Sequence, residues 1–144
     1  MAAIRLYELV PVPWLVKRRV LKTMILDLFN REKRSLLDLN IIFCDDDFLL
    51  GINREFLQHN DFTDIITFDL SDSEEIKGEI YISIPRVIEN ATNLQVDRLS
   101  EIHRVIFHGC LHLCGYKDKL KKDKDLMRKK EEEYLKGYAS RSST

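Results

Sequence analysis

Cysteine is scarce in this sequence, at three residues among 144. An odd number of cysteines makes no paired disulfide framework, so a reducing compartment is expected. No run of apolar residues is long enough to span a bilayer, and no basic-then-apolar leader is present. Both absences argue against membrane insertion or secretion, and a soluble cytoplasmic protein is expected. An excess of one charge is missing as well, because 23 Lys and Arg stand against 24 Asp and Glu for a formal net charge of −1. Nothing global therefore marks a nucleic-acid binder, and any RNA affinity must come from local stretches. Internal repeats are absent, which excludes solenoids and arrays.

What is present is the material of one ordinary domain: 44% hydrophobic and 33% charged residues, enough to bury a core. A single domain over residues 1–138 is expected, with 139–144 as a disordered tail. Residues 3–9 alternate as an opening strand, which Pro11 and Pro13 stop. Helical spacing follows from Trp14 to Asn30 through Leu21, Ile25 and Leu28, with Lys17, Arg18, Arg19 and Lys22 mainly off that stripe. Branched residues at 37–44 read as a strand. The acidic triplet Asp45, Asp46, Asp47 reads as a helix start, since acceptors there satisfy free N–H groups. The next helix, 47–57, sets Phe48, Ile52 and Phe56 on one stripe. Strands at 63–70 and 78–84 should pair antiparallel, with Pro85 closing the pair. A short helix at 86–93, a core helix at 97–114 and a last helix at 121–136 complete the chain. An α/β domain of layered type is expected.

The densest set of metal-ligand types lies in HGCLHLCGYKD, residues 108–118. His108 and His112 are one helical turn apart, so both imidazoles stand on one face, suited to converge on one ion. Gly115 can take the left-handed conformation that ends a helix and turns Asp118 back toward them. Gly109 occupies the position where the zinc-peptidase pattern HExxH carries its Glu base, which disfavours a protease mechanism. A glycine inside a helix costs about 1 kcal/mol relative to alanine, so Gly109 should serve close approach of a strand or a substrate. Cys110 and Cys114 point roughly 200° away from the histidines and read as small buried hydrophobes. His103 lies well off the His108 direction and is given no metal role.

These residues carry a resemblance. HGCLHLCGYKD resembles HGxLHLxGYDH, the signature of the YbeY family of bacterial metal-dependent endoribonucleases tied to ribosomal RNA maturation. INREFLQHNDFTDIITFD is similar to the family's LNxxYRxxDxxTDVLSF, GEIYIS to its GDIxIS, and LMRKKEEEYL to its closing segment. Two departures stand out: Asp118 occupies the place of the family's third metal-binding His, and Leu57 that of its Arg.

The resemblance sharpens the fold to a small mixed four-stranded sheet covered by helices around a central buried metal-binding helix. It implies a hydrolase, a zinc-dependent single-strand endoribonuclease of small-subunit rRNA maturation and ribosome biogenesis. His108, His112 and Asp118 would hold one zinc per chain, with manganese or iron as alternatives that a carboxylate ligand admits. The catalytic group would be metal-bound water, with no side-chain base assigned. RNA contacts are expected from the basic run after the site, through Lys117, Lys119, Lys121, Lys122 and Lys124. The positive charge lacking at Leu57 would come from Arg54, His59, Lys117 or Lys119. The rival readings are a non-catalytic ribosome-assembly factor whose metal only fixes the chain after Gly115, and a metal-dependent hydrolase of another substrate.

Overall fold

The computed structural model describes residues 2–57 and 63–142. Along them run β1 (Ala3–Glu8), α1 (Arg18–Arg31), β2 (Leu36–Cys44), α2 (Asp46–Leu57), β3 (Ile65–Asp69), β4 (Ile76–Ser83), α3 (Ile84–Leu94), α4 (Arg98–Leu113) and α5 (Lys121–Ser142). The strands form one mixed sheet in the order β1-β2-β4-β3. β1, β2 and β4 are parallel, and β3 pairs antiparallel with β4 through Ile65 opposite Ile82 and Thr67 opposite Ile80. β3 is therefore an edge strand.

Strand alternation assigns the two faces. On one, Ile80 and Ile82 join the main core with Leu39, Ile41 and Phe43, covered by α1, α4 and α5 through Leu21, Ile25, Ile106, Phe107 and Tyr134. On the other, Cys44, Leu49 and Ile66 form a smaller cluster under α2. Helix α4 lies directly on the sheet, and two glycines permit it. A Cβ on Gly109 would stand 2.9 Å from Ile80 Cδ1 and 3.0 Å from Ile65 Cδ1, and one on Gly78 would stand 2.5 Å from Leu113 Cδ1. Gly109 thus serves close approach of a strand.

Three local expectations are corrected. Helix α1 begins at Arg18 rather than Trp14. The Arg18 guanidinium donates to Leu15 O, Val12 O and Glu8 Oε1 and holds the preceding segment in a turn. Lys17 is left-handed at φ 56°, and Trp14 lies instead against Arg98, 5.5 Å from ring centroid to guanidinium. In α2 the buried residues are Leu49 and Asn53, because that side faces Ile66 and Cys44. Phe48 and Phe56 are exposed; Phe48 stacks on Tyr81 and Phe56 meets Phe68 edge-on. Residues 139–142, expected within the tail, continue α5, where Tyr138 is buried and Arg141 reaches Asp27 of α1 at 3.3 Å. Residues 143–144 lie outside the described residues. The acidic triplet behaves as read: Asp45 Oδ1 accepts from Phe48 N at 2.9 Å at the start of α2. Among the described residues no helix is long and apolar enough to cross a membrane.

One buried histidine carries a pH prediction. His103 is 2% exposed, between the rings of Phe107 and Tyr138, and burial lowers its pKa from 6.5 to about 4. Between those values the unfolded chain binds a proton that the native one refuses, so stability falls as pH drops through that window and levels off below it. The expected loss between pH 7 and pH 5 is about 2 kcal/mol. Urea unfolding at the two pH values should show it, and His103→Phe should remove most of it; an unchanged difference would assign the loss to other groups.

Candidate metal centre

Helix α4 delivers two ligand candidates and its C-terminus turns the third toward them. Gly115 N donates to His112 O at 3.0 Å and Tyr116 N to Leu111 O at 3.1 Å, the paired bonds of a Schellman turn. Gly115 supplies the positive φ, 106°, that this turn needs and that a side chain would oppose. The reversal brings Asp118 onto the histidine face. Its Oδ2 lies 3.1 Å from His112 Nε2 and 3.3 Å from His108 Nε2, and the two Nε2 atoms are 3.0 Å apart.

The opposite ring nitrogens are engaged. His112 Nδ1 faces Tyr116 O at 2.9 Å, and a carbonyl oxygen can only accept. His108 Nδ1 lies 2.5 Å from Glu131 Oε2, so there too Nδ1 carries the proton. In neutral rings both Nε2 atoms then hold lone pairs, and they converge with a carboxylate oxygen. Three acceptors at one point repel unless a cation sits among them. Ligands of a tetrahedral ion with bonds of about 2.0–2.1 Å are about 3.3 Å apart, close to the spacing here. The residues present therefore fit a divalent ion, and the outward tautomers are the ones that suit ligation.

Behind His108 stands a polar cluster absent from the sequence reading. Glu131 of α5 is 4% exposed and Glu101 of α4 2%, and Arg104 lies between them. Arg104 donates Nε and Nη2 to the two oxygens of Glu101 at 2.9 and 2.7 Å, and Nη1 to Glu131 Oε1 at 3.1 Å. Burial alone would raise the Glu131 pKa, but the His108 hydrogen bond and the Arg104 charge overcome it and hold the carboxyl below its usual range. A signal for Glu131 was available. Met127, Glu131, Tyr134 and Tyr138 form one buried stripe of α5, and an acid inside such a stripe needs a partner.

The three ligand candidates line a groove of about 760 Å³ between α4 and the free side of β3, with Leu57, Asn53, Thr63, Asp64, Thr67, Asp69, Arg104 and Lys119 among its walls. Of the lysines expected to contact RNA, Lys119 lines this groove. Lys117, Lys122 and Lys124 are exposed outside it, and Lys121 pairs with Asp125 at 3.4 Å. Among the cations considered in place of the missing arginine, Arg54 and Lys117 are not on the groove wall, and His59 lies outside the described residues. The cysteines keep away from the site: Cys44 and Cys110 are buried, Cys114 is half-buried, and all three are free. Burial pushes the thiols of Cys44 and Cys114 up to about 12, which makes them poor nucleophiles and ligands.

Known proteins share this arrangement of elements and sequence. The family model described as Endoribonuclease YbeY matches residues 16–139. A Cytophaga hutchinsonii protein named Endoribonuclease YbeY is 48% identical over 120 residues, 83% of this chain and 84% of the relative. A protein of the same name from Flavobacterium psychrophilum is 53% identical over 105 residues, 73% of this chain and 75% of its own. The solution structure of a Thermotoga maritima protein superposes with a TM-score of 0.71 at 27% identity, covering 98% of this chain and 92% of that one. With the family model spanning β2, β3 and β4, the histidine helix and the turn that carries Asp118, the chain belongs to the YbeY family.

Proposed function

We propose that this protein is a zinc-dependent endoribonuclease that cuts single-stranded RNA in the maturation of small-subunit ribosomal RNA in the cytoplasm, with His108, His112 and Asp118 holding the ion. The observation that carries the reading is the convergence of two imidazole lone pairs and a carboxylate oxygen within 3.0 to 3.3 Å on the wall of an open groove. When bound, the ion supplies Lewis-acid polarisation of a phosphoryl oxygen and activation of water at neutral pH. The protein does the rest. Tyr116 O and Glu131 fix the two ring tautomers, Asp118 lowers the charge of the site relative to three histidines, and Lys119 brings a cation to the groove wall for a phosphate. The carboxylate ligand admits manganese or iron beside zinc. Leu57, half-exposed on that wall, favours a second reading as a non-catalytic ribosome-assembly factor, because it gives an apolar surface where charge is useful.

Cleavage separates the two. It should vanish on chelation, return with zinc or manganese, and be lost in His112→Ala while RNA still binds. Binding itself should depend on salt, with a slope of about −0.7 per phosphate contact on a single strand. Replacing Lys119, Lys121, Lys122 and Lys124 together with Gln should lower affinity and flatten that slope without changing metal content. Cutting that survives both chelator and His112→Ala would come from a contaminant or from other residues, and the enzyme reading would give way to the assembly-factor one.

A further inference from the structure

The two buried acids beside His108 differ in what they touch. Glu131 reaches His108 directly, whereas Glu101 contacts the site only through Arg104. Each of the four carboxylate oxygens receives one donor: both of Glu101 from Arg104, one of Glu131 from Arg104, and the other from His108. We propose that Arg104, clamped by Glu101, is a positioning residue for the metal centre: it locks Glu131 in the single orientation that aims His108 Nε2 at the ion, and so sets metal affinity without touching the ion. The proposal rests on the metal-site reading above.

The geometry explains why both partners are needed. Without Arg104, Glu131 Oε1 would be a buried carboxylate oxygen with no donor, and the cost is relieved by rotation of Glu131 or by withdrawal of α5, either of which releases His108. Without Glu101, Arg104 would keep only its bond to Glu131. It already lines the groove one helical turn before His108, and a released guanidinium there is free to turn toward Asp118 and compete with the cation for that carboxylate. The cluster also has a sign. Two carboxylates and one guanidinium leave one net negative charge, buried beside His108, which favours a cation at Nε2 over an empty site. Ion pairs kept for stability alone are often replaceable by apolar residues of the same volume. Here the replacement would lose the orientation of a ligand.

The test is a thermodynamic cycle on metal affinity. Cobalt(II) and zinc dissociation constants are measured by competition with a chromophoric chelator, alongside the cobalt(II) d–d spectrum. Arg104→Met and Glu131→Gln should each weaken binding roughly 10- to 100-fold, the usual range for partners behind a ligand. The double variant should bind no more weakly than Glu131→Gln alone, because Arg104 acts only through Glu131. Arg104→Lys should recover part of the loss, and Glu101→Gln should weaken binding and shift the cobalt spectrum. Arg104→Met within twofold of wild type, or losses that simply add in the double variant, would overturn the proposal. If Arg104→Met does not fold without metal, Arg104→Lys and Glu101→Gln decide: unaltered affinity in both sinks it. A wild-type protein that binds neither ion overturns the metal site and this proposal together, whereas tight wild-type binding with indifferent variants overturns this proposal alone.

Discussion

A folded protein with no bound metal and no cleavage is the expected product of replacing His108 and His112 together with alanine. Two of the three proposed ligands are gone, and Asp118 Oδ2, on a side chain 41% exposed, cannot hold an ion alone against water. The affinity should fall at least about a thousandfold, or ~4 kcal/mol. The fold should survive, because the histidines contribute little to the core. Helix α4 is anchored by Ile102, Val105, Ile106, Phe107, Cys110 and Leu111, all buried. Calorimetry with zinc, beside metal analysis of the purified variant, reads the result. Full occupancy in the double variant would refute the site. Asp118→Ala should weaken binding less, since a turn residue is more easily replaced by water, and Asp118→His should retain the ion. Wild-type affinity in Asp118→Ala would mean that another residue is the third ligand. Cys110→Ser, by contrast, should change stability and leave metal content alone.

Gly109→Glu should unfold the protein rather than create a peptidase, although it writes the HExxH pattern into the chain. The pattern assumes that the second position faces the metal and substrate. Here position 109 faces the sheet: Ile80 Cδ1, Ile65 Cδ1 and Ile80 Cγ2 lie 2.9, 3.0 and 3.2 Å from where a Cβ would stand. A carboxylate there is wedged among isoleucines with no donor. Overpacking costs roughly 1–3 kcal/mol, and burying an unpaired polar or charged group adds several more. Together these approach the ~5–15 kcal/mol that holds a domain. Urea unfolding or the soluble yield measures the effect, and a midpoint equal to wild type would show that α4 does not lie on β3 and β4 as described. Gly109→Ala is the informative control. It gains about 1 kcal/mol of helix propensity but sets its Cβ against the buried, branched Ile80 and against Ile65, so it should destabilise, and by much less than Gly109→Glu because no carboxylate is buried with it.

What could be read from the sequence and what could not divide along the range of the interaction. The His108–His112 pair, the turn at Gly115 and the return of Asp118 depend on residues three to ten positions apart, where helix and turn geometry are determined locally. The cap at Asp45 is legible for the same reason, and the antiparallel strand pair from the alternation of its two strands and the short polar connection between them. The stripe of α5 marks Glu131 as an acid in need of a partner but does not name that partner, because its bond to His108 joins α5 to α4 across 23 positions and exists only when the two helices pack. The Arg104 contacts with Glu131 share that origin. Helix α2 shows a different limit. Its stripes Phe48–Ile52–Phe56 and Leu49–Asn53–Leu57 are both helical in period, and only the position of β3 decides which side is buried. The extent of α5 past residue 138 is likewise set at long range, because Tyr138 and Arg141 find partners in His103 and Asp27, each on another helix.

The short sequence span of the three proposed ligands bears on how the protein would acquire its ion. Closing a loop of a few residues costs little chain entropy, and the cost grows only slowly with length. A segment from His108 to Asp118 should therefore be able to chelate a cation while the sheet is still unpaired. Binding to such unfolded forms subtracts from the stabilisation that mass action would otherwise confer on the native state. Zinc should thus raise the unfolding midpoint by less than its native dissociation constant implies. The shortfall measures how much of the site exists before the fold does.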